Sequence, residues 1–163
     1  MARKKTNLSK HDPSKIPSAK GMKIAIVVSE WNPEITDALY NGAVDTLTAN
    51  GCKGKNISRI HVPGSFELPS AAQFVAERKK VDAIICIGCV IQGETRHFDF
   101  ICDAVANGIV NVSLKYNLPV IFGVLTPENM AQARARAGGK HGNKGVEAAV
   151  TAIKMIALKK VIK

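Results

Sequence analysis

The sequence has few aromatic side chains, with five Phe, two Tyr and one Trp among 163 residues. They are scattered along the chain, so it offers no aromatic platform on which nucleic-acid bases would stack. It also contains no apolar run close to the roughly 20 residues that cross a bilayer, and no apolar signal-peptide region near its start. These absences predict a cytoplasmic protein with no membrane partner.

Cysteine is also sparse, and the four residues Cys52, Cys86, Cys89 and Cys102 are typical of free thiols in a reducing compartment. Cys86 and Cys89 have the C-x-x-C spacing, but residues three apart on a strand point to opposite faces. No second Cys/His pair has the spacing of a metal site. We therefore expect buried, unligated cysteines and no metal.

The net charge of +10 is unevenly distributed. Residues 1–23 contain seven basic side chains and one acidic side chain, so this segment carries +6 and the remainder only +4. Basic tails are commonly solvated extensions, so we expect no nucleic-acid partner. Residues 1–21 are predicted to form a flexible basic arm, and residues 22–163 a single domain of ordinary size.

Four segments predict strands. Three of them are nearly continuous Ile/Val/Ala runs, typical of strands covered on both faces of a parallel sheet, whereas residues 56–62 alternate more between apolar and polar side chains. Amphipathic segments between them predict helices, the first capped by Asn32 and ending at Asn50. The strand–helix alternation predicts an α/β fold, a three-layer sandwich with a central four-stranded parallel, flavodoxin-like sheet flanked by helices. The predicted strands are residues 23–29, 56–62, 83–89 and 120–125, and the later helices are residues 66–80, 97–116, 127–137 and 145–161.

Ligands of such sheets bind beyond the carboxyl ends of the strands. After the third predicted strand, a turn containing Gly93 leads into a helix that opens with His97. This arrangement sets free backbone N–H groups and a positive helix-dipole end beside an imidazole, the side chain suited to proton transfer near neutral pH. We expect the turn at Glu94 and Thr95 to bind phosphate, with the Glu94 side chain pointing away, and His97 to move protons.

Other strand exits carry further candidates, each with a structural alternative. The Trp31 ring is predicted either to stack on a planar heterocycle or to close the core, and Glu67 either to favour a helix start or to accept hydrogen bonds from a polyhydroxylated ligand. The basic segment after residue 132 does not have the order of a Walker P-loop. One of its arginines could nevertheless clamp a phosphate through forked, charge-assisted hydrogen bonds.

Four motifs in this order resemble the lumazine synthase family of riboflavin biosynthesis, from about residue 22 to the end. They are PGSFELP at 63–69, GCVIQGETRHFDF at 88–100, PVIFGVLT at 119–126 and ARAGGKHGNKG at 135–145. The resemblance implies a transferase that condenses 5-amino-6-(D-ribitylamino)uracil with 3,4-dihydroxy-2-butanone 4-phosphate. The products would be 6,7-dimethyl-8-ribityllumazine, phosphate and water, with no cofactor.

The resemblance also assigns roles along the chain. It implies that Trp31 stacks on the pyrimidine and that His97 is the proton carrier. The remaining matches are Ser65, Phe66 and Glu67 for the ribityl chain, the backbone of Cys89, Val90 and Ile91 for the pyrimidine edge, Glu94 and Thr95 for the phosphate, and Phe122, Arg136 and Lys144 as groups from a neighbouring subunit, with Arg136 on the phosphate.

Such sharing implies a homo-oligomer. The resemblance implies pentamers, and the linker at 138–145 is similar to that of members that close into an icosahedral 60-mer shell; a free pentamer or a pentamer pair is the alternative. Riboflavin synthase is a further partner that the resemblance leaves open. Two rival functions are considered. The first is a nucleotide-binding module, but no strand exit of this sequence has the G-x-G-x-x-G motif of such modules. The second is a non-catalytic lumazine or flavin carrier or cage protein, and the presence of His97 and Arg136 argues against it.

Overall fold

A computed structural model describes residues 7–162, and its centre is a four-stranded sheet. The strands are β1 Ile24–Ser29, β2 Ile57–Val62, β3 Ala83–Cys89 and β4 Val120–Leu125. All pairings are parallel and the order is β2-β1-β3-β4. The strand predictions are confirmed, with β1 and β2 each beginning one residue later than expected.

Within residues 7–162, five α-helices cover the two faces of the sheet: α1 Pro33–Ala49, α2 Leu68–Arg78, α3 His97–Tyr116, α4 Met130–Arg136 and α5 Lys144–Val161. Helices α1, α4 and α5 contribute to one apolar core and α2 and α3 to the other, so the three-layer α/β prediction is confirmed. None of the helices in the described range 7–162 is long and apolar enough to cross a membrane.

Five helix ends differ from the predictions: α2 begins and ends two residues inside its expected range, α4 begins three residues late and ends one residue early, and α5 begins one residue early. Ser65–Glu67 forms a 3-10 turn, and α2 begins after it, with Pro69 in the first turn where a missing N–H costs nothing. Helix α4 begins at Met130 instead of 127 because the Asn129 side chain accepts a hydrogen bond from the Gln132 N–H and fixes the start there.

The glycine-rich segment after α4 is a small antiparallel hairpin, β5 Ala137–Gly139 and β6 Gly142–Asn143. The Asn143 side chain caps α5 by accepting from the N–H groups of Gly145 and Val146. At Gly145, an added Cβ would lie 1.8 Å from the carbonyl oxygen of Leu39 in α1. The absence of a side chain at this position therefore permits α1 and α5 to pack together.

Strand β3 sends its two cysteines into different cores, as the three-residue spacing predicts. Cys86 packs with the α2–α3 core and Cys89 with the α1–α5 core, and all four cysteines are free. Burial raises the pKa of the Cys86 thiol to about 12 and that of Cys89 to about 11. These are neutral, buried side chains, which confirms their interpretation as small hydrophobic groups.

Candidate active site

The exits of β1, β2 and β3 and the start of α3 surround a cleft of about 300 Å³, here called the first cleft. The parallel sheet brings these segments together because all its strands end at the same edge. Asn32, Gly64 and Ile101 complete the lining. Eight residues singled out from the sequence line the first cleft: Trp31, Ser65, Phe66, Glu67, Cys89, Val90, Ile91 and His97.

Two aromatic rings stand open to solvent at the first cleft. Trp31 is 72% exposed and Phe66 is 56% exposed, although large apolar side chains are ordinarily covered. Beside them, Ser65 is buried, and its Oγ has no hydrogen-bond partner among the described residues. An unpaired buried hydroxyl is unfavourable, so this cleft combines apolar surface with an unused polar group.

The end of β3 presents backbone groups to the first cleft. The Val90 N–H donates to the Leu125 carbonyl at 2.8 Å and the Gln92 N–H donates to the Pro127 carbonyl at 3.0 Å, both on the β4 side. Successive residues of an extended chain turn their polar groups to opposite sides. The N–H and C=O of Ile91 therefore face the β1 side, together with the carbonyl of Cys89.

Asn32 contributes to the first cleft in a way that the sequence did not indicate. Its backbone is left-handed, with φ 58°, and its side chain makes no capping bond to α1. Instead, Asn32 Nδ2 donates to the Cys89 carbonyl at 3.0 Å and ties the exit of β1 to the end of β3. The signal was ambiguous because asparagine favours both helix caps and left-handed backbone.

His97 lies at the first residue of α3, with an exposed side chain. Its N–H donates to Thr95 Oγ1 at 3.3 Å, which fixes the turn relative to the helix start. Glu94 and Thr95 are also exposed, but they are not among the residues that line the first cleft. They stand next to His97 along the chain, at the positive end of the α3 dipole.

A separate cleft of about 400 Å³, the second cleft, lies along β4, the edge strand of the sheet. Its lining includes the other three predicted residues, Phe122, Arg136 and Lys144. The structure thus brings these three together but apart from the residues of the first cleft. Each cleft holds one part of the residue set that the motifs identify.

Glu147 organises the cations of the second cleft. Its Oε1 lies 2.9 Å from Arg136 Nη1, its Oε2 lies 3.1 Å from Arg136 Nη2, and Lys144 Nζ is 3.4 Å from Oε2. The Glu147 side chain is only 11% exposed. Sequence reasoning missed this carboxylate; its position three residues after Lys144, in the first turn of α5, was the available signal.

The two arginines of the basic segment have different environments. Arg134 Nε and Nη2 bind Glu34 at 2.6 and 3.0 Å, and these hydrogen bonds hold the pKa of the Glu34 carboxyl below its usual value. This pair is exposed and joins α4 to α1. Arg136, in contrast, lines the second cleft, so it is the arginine of this segment that is placed to meet a ligand there.

Comparison with known proteins shows which family the chain is similar to. The family model of 6,7-dimethyl-8-ribityllumazine synthase matches residues 21–160. A protein of that name from Cytophaga hutchinsonii is 60% identical over 151 residues, which cover 93% of this chain and 94% of the relative. One from Porphyromonas gingivalis is 52% identical over 161 residues, covering 99% of this chain and all of the relative. The chain belongs to the 6,7-dimethyl-8-ribityllumazine synthase family.

Proposed function

We propose that an active site formed by two copies of this chain condenses 5-amino-6-(D-ribitylamino)uracil with 3,4-dihydroxy-2-butanone 4-phosphate. The products are 6,7-dimethyl-8-ribityllumazine, phosphate and water, the penultimate step of riboflavin biosynthesis. Membership of the synthase family supports this reaction and classifies the chain as a transferase. The single domain proposed for residues 22–163 is supported by the extent of the family match, residues 21–160.

The observation that carries the shared site is the separation of the two clefts. The first cleft contains a proton carrier, open aromatic rings and backbone polar groups, but among residues 7–162 no arginine or lysine lines it. The second cleft contains Arg136 and Lys144, but no histidine of the described part of the chain lines it. Joining the first cleft of one copy to the second cleft of another would unite these groups.

Exposed apolar side chains support such a contact between copies. Phe100 and Leu114 on α3 are 65% and 74% exposed, and Phe74 on α2 is 57% exposed. A folded chain rarely leaves several large apolar groups uncovered unless another surface packs on them. We propose that homo-oligomerisation covers this surface, in a pentamer that closes into a 60-mer shell, with riboflavin synthase as a candidate enclosed partner.

In the proposed complex, the Trp31 ring stacks on the pyrimidine and the Ile91 backbone meets its polar edge. Glu67 accepts hydrogen bonds from the ribityl hydroxyls, with Ser65 and Phe66 beside the same chain, and Phe122 of the second copy closes over the site. Arg136 and Lys144 of that copy hold the phosphate ester against the turn at Glu94–Thr95. Guanidinium and helix N-terminal N–H groups are both suited to this anion.

His97 then moves protons between the two substrates. Imine formation, phosphate elimination and ring closure each need a proton added or removed, and one positioned group contributes about 10²–10⁴-fold. The rest of the acceleration comes from holding two reactants in the reacting geometry, which supplies up to roughly 7–11 kcal/mol in well-oriented systems.

The direct test mixes the protein with both substrates and follows lumazine fluorescence together with phosphate release. Equal rates of the two signals are expected for the synthase. A carrier of the same fold would instead bind the ribityllumazine while releasing no phosphate from the substrates above the protein-free rate, and that outcome would contradict the proposal.

A further inference from the structure

The N-terminal segment, residues 7–21 before the domain, contacts the edge of the second cleft through Ser9. The Asn143 N–H donates to Ser9 Oγ at 2.6 Å. The same Oγ lies 3.0 Å from the Asn143 carbonyl and 3.3 Å from Glu147 Oε1. Because a hydroxyl has one proton, Ser9 donates to one of these two oxygens at a time. Ser9 therefore contacts both the residue before Lys144 and the carboxylate that holds Arg136.

Gly142 has no side chain and so leaves room for the N-terminal segment against the hairpin. Its φ is +86°, and an added Cβ would lie 2.3 Å from both Asn7 Oδ1 and Ser9 Oγ. Within the segment, the Ser9 N–H donates to Asn7 Oδ1 at 2.9 Å, which holds Ser9 in its turn. The hairpin and the segment thus fit each other closely, and a side chain at residue 142 would displace the contact.

The contacts of Ser9 lead directly to the cationic groups. Glu147 binds Arg136 through both carboxylate oxygens and also reaches Lys144 Nζ at 3.4 Å. A largely buried carboxylate between two cations fixes their positions only if it keeps one rotamer, and a further hydrogen bond from Ser9, when its hydroxyl donates to Glu147, restricts that rotamer. In addition, Lys144 follows Asn143 along the chain, so the bond to the Asn143 N–H constrains where α5 begins.

We propose that Ser9 is a positioning residue for the phosphate ester: through Glu147 and Asn143 it sets Arg136 and Lys144 in the geometry that binds this group. The inference rests on the proposed function, since it concerns the phosphate-holding half of the same site. It gives the segment before the domain a role in substrate affinity.

The test compares Ser9→Ala with Ser14→Ala. Ser14 lies in the same segment, is exposed, and its side chain bonds only to Asp12 among the contacts described for it. In the full-length protein, Ser9→Ala is expected to raise KM for the phosphorylated substrate about threefold to tenfold, as for one lost hydrogen bond. The KM for the pyrimidine and kcat are expected to stay within about twofold, and Ser9→Thr, which keeps the hydroxyl, to restore the affinity.

Binding of inorganic phosphate, measured by calorimetry, separates this inference from the reaction itself. If wild-type protein forms no lumazine but Ser9→Ala weakens phosphate binding relative to Ser14→Ala, the proposed reaction fails and the positioning role stands. If wild-type protein is active and Ser9→Ala changes neither KM nor phosphate affinity, the positioning role is wrong. Equal rises in both KM values, or a changed assembly mass by light scattering, would also overturn it.

Discussion

Proton transfer in the proposed site is assigned to a single side chain, the exposed imidazole of His97. We expect His97→Ala to lower kcat by about 10²-fold or more without abolishing turnover, because substrate positioning does not depend on the imidazole. Steady-state rates and calorimetric binding of each substrate measure this. Complete loss of turnover with normal binding of both substrates would contradict the division between binding and proton transfer.

Phosphate binding is assigned to Arg136, and Arg134 in the same helix supplies a matched control. Arg136→Ala removes charge-assisted hydrogen bonds worth about 1.5–3 kcal/mol each, so KM for the phosphorylated substrate should rise about 10- to 100-fold. Arg134→Ala, which breaks the exposed pair with Glu34, should leave that KM within about twofold. Steady-state kinetics measured over a range of phosphorylated-substrate concentrations test this. The same KM for both variants would exclude Arg136 from the phosphate site.

Asn32 links two strand exits, and its role can be separated from its unusual backbone. Asn32→Gly tolerates the left-handed conformation but loses the bond to the Cys89 carbonyl. We expect KM for the pyrimidine to rise about threefold to tenfold, since the end of β3 is no longer held. Asn117→Gly is the control, because Asn117 is also left-handed (φ 46°) but lies at the far end of α3. Pyrimidine KM values that rise equally in both variants would contradict this role.

At the level of elements, the packing of α5 on α1 depends on Gly145. Gly145→Ala places a methyl group 1.8 Å from the Leu39 carbonyl oxygen, so the two helices must separate. Overpacking of this kind costs about 1–3 kcal/mol or more, and we expect Tm to fall by about 5 °C or more. Gly54→Ala, where an added Cβ meets no atom within 4 Å, is the control. Equal Tm values for the two variants in a thermal scan would contradict the prediction that this helix contact contributes to stability.

The elements that could be predicted from sequence are those whose signal is local and periodic. The Ile/Val runs at 83–89 and 120–125 became β3 and β4 with the expected bounds, since burial on both faces leaves an unbroken apolar pattern. Helix starts were less certain because several residues compete for them. The fourth helix was expected to begin at residue 127, but the Asn129 side chain caps it so that it begins at Met130. The hairpin after α4 was not predicted, because its glycine-rich segment has almost no apolar pattern.

The sequence indicated candidate site residues only where the residue type and its position in a motif are sufficient, without knowledge of its folded contacts. The roles of Trp31, His97 and Arg136 come from residue type and motif position. Asn32 and Glu147 act through partners distant in sequence or on another helix turn, and a hydrogen bond such as Asn32 to Cys89 follows from folded geometry, not from spacing. The separate cleft of Phe122, Arg136 and Lys144 agrees with the neighbouring-subunit origin that the family resemblance implies, which no residue spacing in the sequence indicated.

For the whole molecule, the central claim is that each site takes His97 from one copy and Arg136 from another. Co-expression of His97→Ala and Arg136→Ala chains with different tags tests it most directly. In randomly mixed oligomers, about a quarter of the interfaces would pair an intact first cleft with an intact second cleft. With the phosphorylated substrate kept well below the KM of Arg136→Ala, we therefore predict lumazine synthesis in purified mixed oligomers at about a quarter of the wild-type rate, well above either variant alone. Mixed oligomers no more active than the average of the two variants would contradict the shared site.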